Sequence, residues 1–321
     1  MDKFWDEYPT IKNDLNYVVK IMEKNVKCRD KVIENSILDL IYSGGKLLRP
    51  AFVLIASRFG EENKEKACSL AAVIEMLHMA TLVHDDIIDD SKLRRGNETI
   101  QSRYGKDYAV YIGDFLFGVC FKLLSENSSL KQINIDSNSM SRICLGEVNQ
   151  LNSRFNLNLS VKSYLNRISA KTAELFSLSF YTGASMANCS EKLSRQLWHI
   201  GHNIGMAFQI IDDVLDYSSS NAVLGKSTAN DLKQGIFTLP IIYAIAADKN
   251  AFNGLLEKHY FSDKDINSII NIVKSSGSIY ECNKLASKYS NKAFNLIEKL
   301  PKDDNSEMLD SIVKKLLVRK Y

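Results

Sequence analysis

The amino-acid sequence predicts an all-α protein, and two features carry that prediction. Helix breakers are scarce: the 321 residues include only four prolines, and none lies between Pro50 and Pro240, so no proline there forces a helix to end. Glycine is also sparse, which argues against an all-β fold with many tight turns. From Lys64 to Asp90, apolar residues recur three and four positions apart, the spacing of a mostly buried helix. We therefore expect one all-α domain of ten or more helices over 1–321.

The same spacing marks further helices along the chain. They are expected at roughly 100–125, 139–153, 162–186 and 191–217, and then at 241–247, 263–275, 278–299 and 305–318. Breaks are expected at 91–98, 125–137 and 218–230, and the Asn- and Ser-rich stretch 134–139 is typical of an exposed loop. The first long helix is expected to end near Lys92. No break is long enough to be a clear linker, which favours a single domain.

Composition excludes several classes of protein. Net charge is only +3, from 41 basic and 38 acidic residues, and no long basic run suggests nucleic acid as a partner. The acidic, mixed start MDKFWDE is unlike a targeting peptide, and apolar runs such as 239–247 are far shorter than a membrane span. Six widely spaced cysteines without a CxxC pair indicate reduced thiols rather than a disulfide frame or a zinc site. We expect a cytoplasmic protein.

Two aspartate triplets share the spacing DDxxD. They are Asp85, Asp86 and Asp89, and Asp212, Asp213 and Asp216. On a helix, residues three and four apart project from one face, about one turn of ~5.4 Å apart. Three like charges on a largely apolar helix repel one another and call for cations. Carboxylates completed by water and substrate phosphate are the usual way for proteins to hold Mg²⁺, so the matched pair of triplets favours a magnesium-diphosphate site over two charged helix ends. Asp90 lies outside the spacing and is expected to face solvent.

Such a site also needs fixed positive charge, because arginine forks and lysine ammonium groups are the usual ligands of phosphate. Taken alone, each basic candidate is also typical of a solvated surface. Their placement around the triplets gives them weight: Lys46 and Arg49 in GGKLLRP, Arg94 and Arg95 after the first triplet, Lys171 beside Thr172, and Lys226 after the second triplet. His78, two turns before Asp85, is more often a core residue by type, and Gln209 lies three before Asp212, within hydrogen-bonding reach of a ligand.

In order along the chain, the motifs are GGKLLRP, LVHDDIIDDSKLRRG, YIGDFLF, AKTAELF, FQIIDDVLDY and LGKSTANDLKQGIFTLP. Together they resemble the bacterial trans-polyprenyl diphosphate synthases, and most of all the long-chain heptaprenyl and octaprenyl enzymes, including the catalytic component of the two-protein heptaprenyl synthase. The resemblance implies an isoprenoid-synthase-type helical bundle around a central cavity. It also implies a Mg²⁺-dependent reaction that joins isopentenyl diphosphate to an allylic diphosphate, farnesyl or geranylgeranyl, with a new trans double bond.

The resemblance assigns roles residue by residue. Isopentenyl diphosphate would be bound by Lys46, Arg49, His78 and Arg95, and the allylic diphosphate by Arg94, Lys171, Thr172, Gln209 and Lys226. Three Mg²⁺ ions would be held mainly by Asp85, Asp89 and Asp212, with Asp86, Asp213 and Asp216 in support; the catalytic set would be Asp85, Asp89, Asp212 and Lys171. The sequence departs from the family pattern at Leu47 and Ile236, where the family often carries a basic residue.

Product length is expected to depend on the helix that carries the first triplet. In the family, the product grows from the metals toward the start of that helix, and short-chain members place bulky aromatic residues one turn before the first aspartate. Ala80 and Thr81 stand there in this chain. One isoprene unit is about as long as one helical turn of ~5.4 Å, so small residues would let the product pass to Leu77 and reach about six to eight units, as in quinone side chains.

Other functions stay open at this stage. A shorter-chain farnesyl or geranylgeranyl synthase would share every motif, and a class I terpene cyclase would share the fold and the first triplet. A regulatory subunit that binds a catalytic twin would be expected to lose aspartates, and a purely structural bundle explains neither the triplets nor the basic residues. The resemblance also implies a homodimer or a heterodimer with a small regulatory subunit, and allows peripheral membrane contact during product release.

Overall fold

A computed structural model of the chain describes residues 1–61, 63–218 and 230–317. Those residues are mainly helical, as predicted. The α-helices are α1 (Pro9–Asn25), α2 (Lys31–Tyr42), α3 (Leu48–Ser57), α4 (Lys64–Ile88), α5 (Ile100–Tyr104), α6 (Lys106–Asn127), α7 (Leu130–Asn152), α8 (Val161–Ile168), α9 (Glu174–Met186), α10 (Glu191–Ser218), α11 (Asn230–Lys233), α12 (Leu239–Ala247), α13 (Asp263–Ser275), α14 (Ser278–Ile297) and α15 (Asp304–Leu317). The prediction of an all-α fold with ten or more helices is confirmed.

The strands of the described residues form one small hairpin. Strand β1 (Leu93–Arg94) pairs antiparallel with β2 (Asn97–Glu98), so that Arg94 lies opposite Asn97. This hairpin occupies the break expected at 91–98. The preceding helix ends at Ile88, earlier than the expected end near Lys92, because Asp90 adopts a left-handed backbone with φ of 48° that an α-helix cannot continue through.

Several expectations about the middle of the chain are wrong. The break expected at 125–137 is reduced to the two residues between α6 and α7, and the helix expected at 100–125 is divided at Gly105, whose φ is 90°. The stretch 134–139 was expected to be a loop, yet it lies inside α7, where Asp136 and Ser139 are buried side chains rather than exposed loop residues. The segment 162–186 was expected to be one helix, and it is divided by a π-helical turn at Ser169–Ala173. The polar composition of 134–139 wrongly predicted a loop because buried hydrogen bonds can satisfy polar side chains within a helix.

The chain forms two compact units, one of Met1–Ser137 with Leu178–Trp198 and one of Asn138–Ser177 with His199–Tyr321. In the first unit, α4 packs against α1, α3 and α6. Buried side chains occur along most of the length of α4. In the second unit, α12 packs against α8, α13 and α14, around a core that includes Phe237, Ile241 and Ile269. That all of 1–321 acts as one domain stays a prediction.

Polar caps fix where several helices begin. The side chain of Asn63 accepts the backbone N–H of Lys66 at the start of α4, and Thr99 and Ser160 cap α5 and α8 in the same way. At the start of α13, Ser262 and Asp265 form a reciprocal capping box. Each cap satisfies an N–H group that has no partner within the helix.

Among the residues that the structure describes, two helices, α4 and α6, are long and apolar enough to cross a membrane by length and composition alone. For α4 the explanation is burial, since 72% of its most apolar stretch lies inside the protein, as for the core helix of many soluble proteins. The corresponding stretch of α6 is only 39% buried, and Tyr108, Tyr111 and Phe121 are exposed on it. The chain therefore offers solvent an apolar helical surface on α6.

Candidate active site

The first aspartate triplet lies at the C-terminal end of α4. Asp85 and Asp89 are half-buried, whereas Asp86 is buried at 4% exposure. The helix formally ends at Ile88, but the backbone N–H of Asp89 still donates to the carbonyl of Asp85 at 2.9 Å. The helical spacing therefore extends through Asp89, and the predicted projection of this pair from one end of α4 holds.

Asp86, the middle carboxylate, is held by Arg94. The Nε of Arg94 donates to both Oδ1 and Oδ2 of Asp86 at 3.0 Å, and its Nη2 donates to Oδ1 at 2.8 Å. Burial raises the pKa of Asp86, and the Arg94 guanidinium opposes that rise. This bidentate pair neutralises the middle charge of the triplet. Asp86 is thus braced by the protein, and so is Arg94, which the sequence assigned to the allylic diphosphate.

The hairpin between β1 and β2 aims two neighbouring arginines in different directions. Its central residues, Arg95 and Gly96, have φ of 52° and 80°, the positive values that tight two-residue hairpin turns require. A positive φ is uncommon for arginine and costs about 1–3 kcal/mol. The guanidinium of Arg95 lies directly against Gly45, where an added Cβ would be 2.7 Å from Nη1. The glycine of GGKLLRP is therefore the space into which Arg95 fits.

A partly buried group of charged and titratable side chains, here called the Arg–Glu cluster, lies beside this contact. It consists of Arg49, Glu75, His78 and Arg95, of which Glu75 is buried, Arg49 and His78 are half-buried and Arg95 is exposed. Burial lowers the pKa of Arg49 to about 10, while the nearby Glu75 acts to raise it. Burial raises the pKa of Glu75, and both arginines oppose that rise. Burial, reinforced by the neighbouring arginines, places the pKa of His78 well below its usual range. His78 is therefore a neutral imidazole, able to donate one N–H to a ligand.

Glu75 was missed from the sequence. It lies three residues before His78, hence on the same side of α4, and is 9% exposed. A glutamate inside an otherwise apolar helix is seldom buried unless it has a charged partner. That rule, applied to the run IEMLH, would have found it. Its carboxylate offsets the two arginines that the sequence assigned to isopentenyl diphosphate.

The second triplet lies near the C-terminal end of α10, and its middle carboxylate is also held by the protein. Tyr164 Oη donates to Asp213 Oδ2 at 2.7 Å, and Gln209 Nε2 donates to Oδ1 at 2.7 Å. Burial raises the pKa of Asp213 to about 8; the charges of Asp231 and Asp212 add to the rise, and the two hydrogen bonds oppose it. Asp213 is 4% exposed, whereas Asp212 and Asp216 are half-buried.

Thr172 extends this network from another helix. Its Oγ1 donates to Gln209 Oε1 at 2.7 Å, so one chain of hydrogen bonds runs from Thr172 through Gln209 to Asp213. The close approach depends on Gly205, one turn before Gln209, where an added Cβ would lie 2.6 Å from the Cα of Ala173. Sequence reasoning placed Gln209 near a ligand; in the structure it joins Thr172 to the triplet.

Lys171 lies in the π-helical turn Ser169–Ala173, a rare element that occurs often at functional sites. Its Nζ is 2.8 Å from Glu147 Oε2, and both side chains are partly buried. The ion pair fixes the ammonium group at the protein surface rather than letting it move freely in solvent. Glu147, Tyr164 and Asp231 were not assigned roles from the sequence, and the structure adds all three to this neighbourhood. Lys226 lies outside the described residues.

The donor chemistry of the triplets fits a hard cation. Within the described parts of the chain, no group of three or more His, Cys, Asp or Glu side chains is arranged to hold a metal ion alone. Each triplet has two half-buried outer carboxylates and a buried middle one, which bonds Arg94 in the first triplet and Tyr164 in the second. Mg²⁺ is commonly bound by one or two carboxylates with waters and substrate phosphates. The arrangement therefore suits metal that is completed by a diphosphate.

The residues expected to control product length lie one to two turns before the first triplet. Ala80 and Leu77 are buried, and Thr81 is half-buried with its Oγ1 donating to the carbonyl of His78 at 2.8 Å. That internal bond satisfies the polar group of Thr81 within its own helix. Ala80 is the smallest side chain of this stretch, and it is on the buried side of α4.

Comparison with known proteins identifies the family. Residues 30–273 match the model of the polyprenyl synthetase family. The chain belongs to that family. It is 34% identical to heptaprenyl diphosphate synthase component 2 of Bacillus subtilis over 321 residues, which covers 99% of this chain and 92% of that protein. The predicted reaction class, trans-prenyl transfer by a polyprenyl diphosphate synthase, is confirmed, and such synthases generally depend on Mg²⁺.

Solved structures agree on the fold. The heptaprenyl diphosphate synthase of Staphylococcus aureus superimposes with a TM-score of 0.92 at 38% identity, covering 96% of this chain and 98% of that one. The geranylgeranyl pyrophosphate synthase of Lactobacillus brevis gives a TM-score of 0.94 at 34% identity, covering 99% of both chains. The polyprenyl synthase family therefore holds enzymes named for different product lengths on closely similar backbones. The roles of individual site residues stay predictions.

Replacing Glu75 by Gln tests whether Glu75 balances the charge of the Arg–Glu cluster. Glutamine keeps the shape but removes the charge that offsets Arg49 and Arg95, so we expect the free energy of unfolding to fall by about 3 kcal/mol or more. Urea denaturation followed by circular dichroism measures the change. Glu65→Gln, in the exposed first turn of α4, is the matched control and should stay within about 0.5 kcal/mol of the parent protein. Equal stability of the two variants would contradict a charge-balancing role for Glu75.

Proposed function

We propose that the protein condenses isopentenyl diphosphate with an allylic diphosphate, farnesyl or geranylgeranyl, to make an all-trans polyprenyl diphosphate for quinone side chains. The expected product has about six to eight units, because the small residues Ala80 and Thr81 would let it pass along α4, at about one isoprene unit per helical turn. The observation that carries the reaction is the matched bracing of the two triplets, with Asp86 bonded by Arg94 and Asp213 bonded by Tyr164 and Gln209. In each triplet the outer carboxylates are half-buried, and we assign them to a metal-bound diphosphate.

Magnesium would be held by the outer carboxylates, with three ions per site. Asp85, Asp89 and Asp212 are the main ligands in this proposal, supported by Asp216 and, through the network, by the middle aspartates. When bound, Mg²⁺ supplies charge that stabilises the departing diphosphate of the allylic substrate. The half-burial of the four outer carboxylates supports the assignment, because a metal ligand must reach both protein and substrate.

Isopentenyl diphosphate would bind at the Arg–Glu cluster. Arg49 and Arg95 supply planar forks suited to phosphate oxygens, Lys46 supplies a third cation, and neutral His78 donates an N–H. Glu75 keeps the arginines oriented while no substrate is bound. Burial lowers the pKa of Arg49 to about 10, and the negative charge of an incoming diphosphate would favour its charged form.

The allylic diphosphate would be held by Lys171, Thr172, Gln209 and Arg94, with Lys226 as a further predicted ligand. Lys171 is placed by Glu147, and Thr172 by its bond to Gln209. Ile236, one of the two departures from the family pattern, is buried at 4% exposure. A buried isoleucine supplies no cation. In this chain the other basic residues would therefore offset the negative charge of the departing diphosphate.

Two observations bear on rival functions. The two arginines of the Arg–Glu cluster favour an enzyme that uses isopentenyl diphosphate over a class I terpene cyclase, which has no such second substrate. A shorter-chain synthase is favoured by the likeness to the enzyme from Lactobacillus brevis, named for geranylgeranyl diphosphate. The names of the relatives from Bacillus subtilis and Staphylococcus aureus, together with the small residues Ala80 and Thr81, support the longer product.

Assembly and location are part of the proposal. A homodimer would cover the exposed apolar side chains of α6, among them Tyr111 at 70% and Phe121 at 63% exposure, since contiguous apolar surface usually marks an interaction site. The word "component" in the name of the relative from Bacillus subtilis supports a small regulatory partner as the alternative. We place the protein in the cytoplasm, with transient membrane contact as the apolar product leaves.

The metal assignment is tested by Asp85→Asn and Asp212→Asn. Each removes one negative oxygen ligand from an outer position, and we expect kcat/KM to fall by at least about 10²-fold. Incorporation of labelled isopentenyl diphosphate at saturating Mg²⁺ measures the loss. Asp90→Asn is the control, because Asp90 is exposed and pairs with Lys92 and Lys106. Near-parental activity in both outer variants would refute the metal site.

Product length is tested by Ala80→Tyr. The added ring would fill the space through which the product is proposed to pass, and overpacking of this kind typically costs about 1–3 kcal/mol, roughly a five- to more than hundredfold penalty at 25 °C. We expect products to shorten to about three or four units while the first condensations continue. Leu77→Phe, one turn deeper, should shorten products less. Mass analysis of products made from geranyl diphosphate, a primer of two units, gives the answer; unchanged lengths with retained turnover would mean that the product does not pass Ala80.

A further inference from the structure

The first residues of the chain contact the loop that carries Lys46. A 3₁₀ helix at Lys3–Trp5 places the indole N–H of Trp5 2.5 Å from the backbone carbonyl of Lys46, to which it donates a hydrogen bond. The Nζ of Lys46 lies over the ring of Phe4, 5.3 Å from the ring centroid. Neighbouring aromatic residues at the N-terminus therefore hold one lysine by its backbone and by its side chain.

The aromatic segment is itself well fixed. Trp5 is fully buried, and the side chain of Asp2 accepts the backbone N–H of Phe4 at 2.7 Å. The Phe4 and Trp5 rings meet edge to face with centroids 4.9 Å apart, and Tyr8 closes the group at 6.2 Å from Trp5. Edge-to-face contacts of this kind restrict ring orientation. The face of Phe4 is thus presented to Lys46 in one direction.

The loop around Lys46 gains from such support. Gly44 and Leu47 have φ of 84° and 48°, and the start of α3 at Leu47 has no side-chain cap. A backbone with left-handed residues on both sides of Lys46 has no regular hydrogen-bond ladder to hold it. The Trp5 bond satisfies the Lys46 carbonyl directly, and a buried tryptophan N–H in turn needs an acceptor. Each group meets a requirement of the other.

We propose that the N-terminal segment positions Lys46 for isopentenyl diphosphate. Trp5 fixes the loop, and the Phe4 ring holds the ammonium group by a cation–π interaction until the diphosphate arrives. Lysine is a flexible point charge, so pre-placing it reduces the ordering that substrate binding would otherwise require. Phe4 and Trp5 are positioning residues in this account. The proposal rests on the proposed function, in which Lys46 binds isopentenyl diphosphate.

The effect should appear in the affinity for one substrate only. Phe4→Leu keeps an apolar side chain but removes the π face, and we expect the KM for isopentenyl diphosphate to rise about three- to tenfold. The KM for farnesyl diphosphate and kcat should stay within about twofold, because transition-state contacts elsewhere are unchanged. Phe4→Tyr retains the π face and should keep the parental KM. Tyr17→Leu, which removes a partly exposed aromatic from α1, is the matched control.

Trp5→Phe gives a second test, since it keeps an aromatic ring but loses the N–H donor; the KM for isopentenyl diphosphate should rise here too. Thermal unfolding of every variant checks the fold. An unchanged KM in Phe4→Leu, or equal rises for both substrates, would overturn the proposal. Lys46→Ala in the same assay separates the two levels. If Lys46→Ala raises the KM while Phe4→Leu does not, only the positioning role fails; if Lys46→Ala has no effect, the proposed substrate site fails as well.

Discussion

The candidate site depends on one interaction that occurs in both aspartate triplets, the bonding of the buried middle aspartate by a neighbouring side chain. Three carboxylates at the end of an apolar helix repel one another, and in each triplet the middle one is turned into the protein and bonded there. Arg94 holds Asp86 by a bidentate ion pair, and Tyr164 with Gln209 holds Asp213. In both triplets the middle residue is buried and the outer carboxylates are half-buried. Removing Arg94 would leave the buried charge of Asp86 uncompensated, which is strongly destabilising. Removing Tyr164 or Gln209 would leave a buried oxygen of Asp213 without its hydrogen bond, which costs about 1–3 kcal/mol.

The basic residues follow the same logic with the signs reversed. The charge of Glu75 offsets Arg49 and Arg95, the guanidinium of Arg95 occupies the space at Gly45, and burial, reinforced by the arginines, lowers the pKa of His78 well below its usual range. A cluster that is preorganised in this way binds an anion without first paying for its own ordering. The backbone strain at Arg95 lies in the hairpin that also sends Arg94 to Asp86, so one short turn joins the first aspartate triplet to the Arg–Glu cluster.

Sequence reasoning succeeded where a pattern has one physical meaning. Helical spacing placed 263–275 where the structure has Asp263–Ser275, and DDxxD implied carboxylates on one helix face. It failed where tertiary partners decide: the buried polar residues of α7 looked like a loop, and the π-helical turn at Ser169–Ala173 has no periodic signal. No pattern in the chain shows that Arg94 and Gln209 bond the middle aspartates, so these bonds were not predicted; the assignment of both residues to the allylic diphosphate stays a prediction. The contact of Phe4 with Lys46 spans distant sequence and could not be read from local spacing.

The central claim is that the middle aspartate is structural and its outer neighbour binds metal. Mn²⁺ binding in the presence of inorganic pyrophosphate, followed by electron paramagnetic resonance, compares Asp85→Asn with Asp86→Asn in the full-length protein. We predict that Asp85→Asn weakens Mn²⁺ binding by at least about tenfold, whereas Asp86→Asn retains the metal affinity and loses thermal stability instead. A variant pair in which Asp86→Asn loses the metal and Asp85→Asn keeps it would contradict the account.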